Sequence, residues 1–168
     1  RTPMNGVIGM STLLLDSGLN PAQKDLTNTV LHSAESLLRI INDILDVSKI
    51  EAGKLTINNS KFHLLSVAEG VIDLLGEQAY GKNIELAYVI APEVPDIINS
   101  DPIRIRQILI NLINNAIKFT HRGYVVLSIT APVTDPETNQ ATVCFEVHDS
   151  GCGIPAEAQE TLFKAFTQ

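Results

Sequence analysis

The sequence predicts an α + α/β fold: a helical hairpin followed by a two-layer α/β sandwich. Two observations support this fold class. Apolar residues recur at helical spacing in two stretches at the start of the chain, with an interruption at Gly18 and Asn20-Pro21. After Gly53 helical spacing alternates with the period-two pattern of strands. We therefore expect a hairpin over residues 1–55 and a second domain over residues 56–168.

Composition excludes several classes of protein. The chain has 168 residues, 45% of them hydrophobic, and a formal net charge of −7. It can bury a core, and its negative charge disfavours nucleic acid as a partner. Cys144 and Cys152 form no CxxC pair, which predicts reduced thiols and a cytoplasmic module. No apolar run approaches the roughly 20 residues of a membrane span, so we expect no membrane contact from this segment, although a parent protein could be anchored elsewhere.

The predicted hairpin leaves an apolar face that needs a partner. Its first helix carries the apolar residues Met4, Val7, Ile8, Met10, Leu14 and Leu15, and its second helix, from Pro21 to about Gly53, carries Leu26, Val30, Leu37, Ile41 and Ile44. Two amphipathic helices alone expose part of such a stripe to solvent. We therefore expect a homodimer in which two hairpins form a four-helix bundle.

Elements of both kinds follow in the second domain. In chain order, the patterns predict a short strand near Leu55–Ile57, a helix over Leu64–Tyr80, a strand over Ile84–Ile90, a helix over Pro102–Phe119, strands over Tyr124–Ala131 and Ala141–Asp149, and a helix over Ala156–Phe166. A turn-rich segment, Asp135–Asn139, separates the last two strands. This order is typical of a sheet covered on one face by helices.

The helix over Pro102–Phe119 carries a polar stripe. Arg104, Gln107, Asn111, Asn115 and Lys118 follow one another at intervals of three or four residues, so they share one face. The other faces are apolar, so we expect the helix to sit on a sheet; they carry Ile105, Ile108, Leu109, Leu112, Ile113, Ala116 and Ile117. A solvated face is the alternative interpretation, although such faces usually carry better helix formers than Asn. Amide oxygens suit a hard cation and Lys suits phosphate, so the stripe could seat a magnesium-bound polyphosphate.

A second candidate site follows the last predicted strand. Strand alternation places Asp149 on the same face as Val143, Phe145 and Val147, which predicts a carboxylate among apolar residues. Such a carboxylate needs hydrogen-bond donors, and the exocyclic amine of adenine is one. Glycines at 151 and 153 permit close approach of a ligand to the backbone. The alternative is an ordinary strand end with an Asp-Ser-Gly turn.

Four motifs together resemble the sensor histidine kinases, and the resemblance, to the hybrid type, covers nearly the whole chain. RTPMNG, NLINNAIKFT, DSGCGIP and LFKAFTQ occur in the order found in that family. RTPMNG resembles the end of the phosphoacceptor box, which implies that the acceptor His lies just before Arg1. The second glycine-rich motif is expected after Gln168. The 168-residue chain alone is therefore expected to bind nucleotide weakly at best, without phosphorylating itself.

The resemblance also implies roles for individual residues. Asn111 and Asn115 would contact magnesium or phosphate, Lys118 phosphate, and Phe119 the adenine; Asp149 would read adenine, while Gly151 and Gly153 would shape its pocket. LFKAFTQ resembles the phenylalanine box through Phe163 and Phe166, although Lys164-Ala165 departs from the more common Glu-Pro. The histidines at 32, 63, 121 and 148 show no metal-ligand spacing, and we assign none of them as acceptor.

The implied activity is transfer of the ATP γ-phosphoryl group to a His, with ATP and Mg²⁺ as cofactors. The phosphoryl group would then pass to an Asp of a receiver domain, in the same chain or in a separate response regulator. The implied ATP-binding fold is shared with type II topoisomerases and heat-shock chaperones. A catalytically inactive nucleotide-binding or dimerisation scaffold is the alternative. An ATPase of the topoisomerase or chaperone type is disfavoured by RTPMNG and the hairpin.

Overall fold

A computed structural model describes residues 2–135 and 140–159 of the chain, which divides into two compact units, Arg1–Thr56 and Ile57–Gln168. No helix in these ranges combines the length and the apolarity that a membrane span requires. The last described element is α5 (Ala156–Gln159). The remainder of the predicted final helix, with Phe163 and Phe166, lies outside the described residues.

The first unit consists of two helices, α1 (Thr2–Leu15) and α2 (Pro21–Glu51), as predicted. The turn between them contains Gly18 at φ +78°, a backbone conformation that glycine adopts at little cost. Asn20 caps α2: its side chain accepts a hydrogen bond from the Gln23 N–H, and the Gln23 side chain accepts one from the Asn20 N–H. Local sequence therefore determines where the hairpin turns.

Apolar side chains of this unit remain exposed to solvent. Among its residues whose burial the structure describes, only Ser11 and Ala34 are buried. Ile44 is 50% exposed and Leu37 is exposed as well. A groove of about 320 Å³ between the two helices is lined by Met4, Val7, Thr29, Val30, Ser33, Ala34 and Leu37. The apolar stripe expected from the sequence is thus present and uncovered in the monomer.

The second unit has two layers. Its elements are β1 (Ser60–His63), α3 (Leu64–Gly81), β2 (Ile84–Ile90), β3 (Ile97–Ser100), α4 (Pro102–Phe119), β4 (Gly123–Asp135) and β5 (Gln140–Asp149), followed by α5. The main sheet has the order β2-β4-β5, with β2 parallel to β4 and β4 antiparallel to β5. β1 and β3 form a separate antiparallel pair. The predicted α/β sandwich is confirmed.

The core lies between helices α3 and α4 and one face of the main sheet. Alternate residues of β4, Val125, Leu127 and Ile129, are fully buried against the helices. The helices contribute side chains at three- and four-residue intervals: Leu64, Val67, Ala68, Val71, Leu75 and Ala79 from α3, and Leu109, Ile113, Ala116 and Ile117 from α4. The helical periodicity read from the sequence therefore identified the buried faces.

The predicted strand at Leu55–Ile57 is wrong. This segment is irregular, and the next residue, Asn58, donates its backbone N–H to the Asp101 carboxylate at 2.9 Å. The first strand begins only at Ser60, where it pairs with β3, a strand that the sequence pattern did not predict. β4 also continues beyond the predicted Ala131 to Asp135.

Asp101 fixes the start of α4. Its carboxylate accepts hydrogen bonds from the backbone N–H groups of Ile103 and Arg104, both at 3.1 Å, and from Asn58. These donors, that of Asn58 first, lower the pKa of Asp101 below its usual value because they stabilise the charged form. The buried carboxylate thus joins the entry segment of the unit to the helix that carries the polar stripe.

Candidate functional site

The polar stripe on α4 faces solvent. Asn111, Asn115 and Lys118 are all exposed, and successive members lie about 5–6 Å apart along the helix. Nearer the start of the helix, Arg104 donates a hydrogen bond to the Gln107 side chain at 2.7 Å. The open part of the stripe, with two amides and one ammonium group, therefore lies in the second half of α4.

An apolar groove runs beside this stripe. The expected packing of α4 on the sheet is confirmed by its buried residues Leu109, Ile113, Ala116 and Ile117, whereas Ile108 and Leu112 are 58% and 41% exposed. The groove has a volume of about 290 Å³ and is lined by Ile105, Ile108, Leu109, Leu112 and, from β5, Phe145.

The end of α4 touches the turn that follows β5. A β-carbon placed on Gly151 would lie 2.7 Å from the carbonyl oxygen of Phe119 and 2.8 Å from Oδ1 of Asp149. Such distances are too short for a side chain, so only glycine permits this approach. The contact brings two motifs, separated by about thirty residues of chain, to one corner of the unit.

Lys118 and Phe119 lie together at this corner. The Nζ atom of Lys118 is 5.1 Å from the centroid of the Phe119 ring, a cation–π distance. The ring is 52% exposed, and the ammonium group is exposed as well. A flat apolar surface and a positive charge are thus available to one ligand.

Asp149 is exposed, which corrects the expectation of a carboxylate among buried residues. It is the last residue of β5, where it pairs with Val125 of β4. Its Oδ1 atom accepts a hydrogen bond from the Gly151 N–H at 2.8 Å. The carboxylate is therefore oriented by the turn, and its second oxygen has capacity for further donors.

Ser150 connects the same turn to the start of β4 by hydrogen bonds, a role that sequence reasoning missed. Its hydroxyl accepts a hydrogen bond from the Tyr124 N–H at 2.9 Å, and its own N–H donates to the Tyr124 carbonyl at 3.1 Å. Gly123 has φ +124°, and a β-carbon there would overlap the Ser150 hydroxyl. The Asp-Ser-Gly sequence was recognised as a turn, but its partner strand was not.

Lys82 also reaches this corner and was not identified from the sequence. Its Nζ donates to the carbonyl oxygens of Ile117, at 2.9 Å, and of Lys118, at 3.3 Å. No sequence motif relates residue 82 to residue 117.

The structure thus brings together Lys118, Phe119, Asp149 and Gly151, with Asn111 and Asn115 on the same helix face as Lys118. Gly153 follows two residues later at φ +68°, and a β-carbon there would meet no atom within 4 Å. Glycine is therefore required at position 153 by the backbone conformation and not by a close contact. Within residues 2–135 and 140–159, no cluster of three His, Cys, Asp or Glu side chains is arranged to hold a metal ion.

Two family models match this chain. Residues 1–53 match the His Kinase A (phospho-acceptor) domain. Residues 100–168 match the histidine kinase-, DNA gyrase B-, and HSP90-like ATPase. This chain belongs to the histidine kinases. The resemblance to the sensor histidine kinases is therefore confirmed.

Several similar proteins align with the entire chain. Signal transduction histidine-protein kinase BarA of Escherichia coli (strain K12) is 44% identical over 168 residues. Hybrid signal transduction protein dokA of Dictyostelium discoideum is 43% identical over 171 residues. The chain spans 18% of the length of the first and 10% of the second. The crystal structure of full-length ShkA in complex with AMPPNP superposes with a TM-score of 0.79 at 32% identity, covering all of this chain and 35% of ShkA.

Proposed function

We propose that this histidine kinase region binds ATP at the corner formed by the end of α4 and the turn over residues 149–153. The observation that carries the proposal is the contact between Gly151 and the Phe119 carbonyl. This close approach joins the helix end that carries Lys118 and Phe119 to the turn that orients the Asp149 carboxylate. The match to the ATPase family model and the likeness to the AMPPNP complex of ShkA support the same assignment.

Each side chain at the corner suits one part of the nucleotide. Asp149 accepts the exocyclic amine of adenine, while Gly151 leaves room for the base near the backbone. The Phe119 ring lies beside the adenine, and the Lys118 ammonium group meets the phosphates as a point charge. Gly153 gives the turn the left-handed backbone that it needs.

Asn111 and Asn115 fit magnesium that arrives with the nucleotide. Their amide oxygens are suitable ligands for a hard cation, but two neutral groups are too few for a site built from protein alone. Phosphate oxygens would complete the coordination. When bound, the ion neutralises phosphate charge, and the two amides orient it relative to Lys118.

The protein that contains this chain is proposed to be a kinase that modifies histidine. The bond between the γ-phosphorus and its bridging oxygen breaks, ADP leaves, and a nitrogen of the acceptor imidazole takes the phosphoryl group. An aspartate of a receiver domain, in the same chain or in a separate response regulator, then accepts it. A cytoplasmic location suits both ATP and free thiols.

A titration of the chain with AMPPNP and Mg²⁺, followed by two-dimensional NMR, tests ATP binding. This method detects Kd values up to the millimolar range, about −4 kcal/mol. We expect the largest shifts at Lys118, Phe119 and the amides of residues 149–153, with small shifts in α1 and α2. Absence of shifts at the corner, or shifts centred elsewhere, would contradict the proposal and favour the scaffold without nucleotide-dependent catalysis.

We also propose that the first unit dimerises through its uncovered stripe. Replacing Ile41 and Ile44 with Glu should convert a dimer into a monomer, because an unpaired carboxylate is not buried without severe cost. We expect the dimer Kd to rise at least about a hundredfold, roughly 3 kcal/mol. Sedimentation velocity measures the change. Glu substitutions at Asn28 and His32, exposed on the opposite face of α2, add similar charge and should leave the dimer intact. A wild-type chain that is monomeric at tens of micromolar would refute this proposal.

A further inference from the structure

We propose that Lys82 is a positioning residue of the nucleotide site: its ammonium group holds the last turn of α4, from which Lys118 and Phe119 project. The inference rests on the proposed function for the identity of the ligand. It adds a residue that lies in none of the four sequence motifs and on a different helix end.

The hydrogen bonds of Lys82 are directed at groups that a helix leaves without partners. The last carbonyls of an α-helix have no intrahelical donor and lie at the negative end of its dipole. Lys82 donates to two of them, those of Ile117 at 2.9 Å and Lys118 at 3.3 Å. An ammonium group has three donors and a full positive charge, so it suits two carbonyl oxygens at once.

The backbone of Lys82 is itself fixed. Its N–H donates to the Ala79 carbonyl at 3.0 Å, and the Asn83 N–H donates to the Tyr80 carbonyl at 2.9 Å. Asn83 adopts φ +56°, which turns the chain directly into β2, where Ile84 pairs with Gly123. The ammonium group is therefore anchored to the end of α3 and to the main sheet.

The hydrogen bonds of Lys82 hold the backbone directly before the proposed site. Residues 117 and 118, whose carbonyls are held, immediately precede the Phe119 carbonyl that contacts Gly151. The Thr120 N–H also donates to the Ala116 carbonyl at this helix end, at 3.0 Å. Loss of the Lys82 bonds should therefore loosen the Lys118 ammonium group, the Phe119 ring and the contact with Gly151 together.

Lys82→Met tests the inference, because Met keeps the length and apolar character of the side chain but removes the donors. We expect the Kd for AMPPNP with Mg²⁺ to rise about tenfold, equivalent to 1.4 kcal/mol. Lys82→Arg, which can still donate to two carbonyls, should stay within about threefold of wild type. Lys61→Met removes an exposed lysine from β1 in the same unit and should leave the Kd unchanged.

Amide hydrogen exchange without nucleotide gives an independent readout. In Lys82→Met we expect exchange at Thr120 and Gly151 to accelerate about tenfold, while Leu127 in the centre of β4 stays protected. Equal acceleration at all three amides would show a general loss of stability and overturn the positioning role. Unchanged exchange at Thr120 and Gly151 would also overturn it, whether or not the chain binds nucleotide.

The two measurements separate the inference from the proposed function. If the wild-type chain shows no AMPPNP binding, the proposed function fails, and hydrogen exchange alone still decides whether Lys82 holds the end of α4. If exchange accelerates locally but the Kd for AMPPNP does not change, the helix end is held for another reason and the inference is wrong.

Discussion

Replacing Asp149 with Asn is expected to raise the Kd for ATP by one to two decades. Asn can still accept the hydrogen bond from the Gly151 N–H, so the turn should survive. The NH₂ group of Asn replaces the carboxylate oxygen that would accept a hydrogen bond from the adenine amine, so that two hydrogen-bond donors would face each other. A badly paired group of this kind costs roughly 1–3 kcal/mol. Calorimetric titration with ATP and Mg²⁺, on a chain extended beyond Gln168 through the expected second glycine-rich motif, measures the difference.

Glu146→Gln is the matched control for Asp149→Asn. Glu146 is an exposed acid three residues earlier on β5, on the opposite face of the strand, and its substitution removes the same charge. Its Kd for ATP should equal that of the wild type. An equal change in both variants would indicate a general effect of net charge, and an unchanged Kd in Asp149→Asn would refute the assignment of adenine to this carboxylate.

Replacing Gly151 with Ala is expected to abolish measurable ATP binding and to destabilise the second unit. The new methyl group would lie 2.7 Å from the Phe119 carbonyl oxygen and 2.8 Å from the Asp149 carboxylate, so helix end and turn must separate. Forced repacking of this kind costs about 1–3 kcal/mol in the free energy of unfolding. We expect at least a hundredfold rise in the Kd for ATP, because the separation moves the ring away from the carboxylate. Urea unfolding and ATP titration measure the two effects.

Gly76→Ala provides the comparison for the stability measurement. Gly76 lies within α3, and a β-carbon there would meet no neighbouring atom within 4 Å. Ala should therefore stabilise the helix by roughly 0.5–1 kcal/mol. If Gly151→Ala bound ATP as well as Gly76→Ala does, the close approach of the turn to α4 would have no part in nucleotide binding.

The long helices could be predicted from sequence because their signals are local. Asp101 and Pro102 mark the start of α4, helical spacing continues to Phe119, and the structure gives the same bounds. The two-stranded sheet could not be predicted in the same way. Its strands have four residues each, and Phe62 is paired with Ile98, more than thirty residues away. Such short strands depend on a partner that no local pattern reveals.

The candidate site was only partly accessible to sequence reasoning. Residue type and spacing identified the amides of α4 and the glycine turn, because both signals can be read from the order of residues along the chain. The exposure of Asp149 at the end of β5 does not follow from strand alternation, and the hydrogen bonds of Lys82 depend on how α3 ends beside α4. Both are properties of tertiary packing.

The β-bulge in the main sheet separates the two ends of the β4–β5 hairpin. Six consecutive residue pairs run from Val125 and Asp149 to Thr130 and Cys144, and the register then shifts by one residue before Val133 pairs with Thr142. Two residues of β4, Ala131 and Pro132, therefore lie opposite one residue of β5, Val143, as in a β-bulge. The six pairs that adjoin Asp149 are therefore uninterrupted, and the irregularity in register lies at the other end of the two strands.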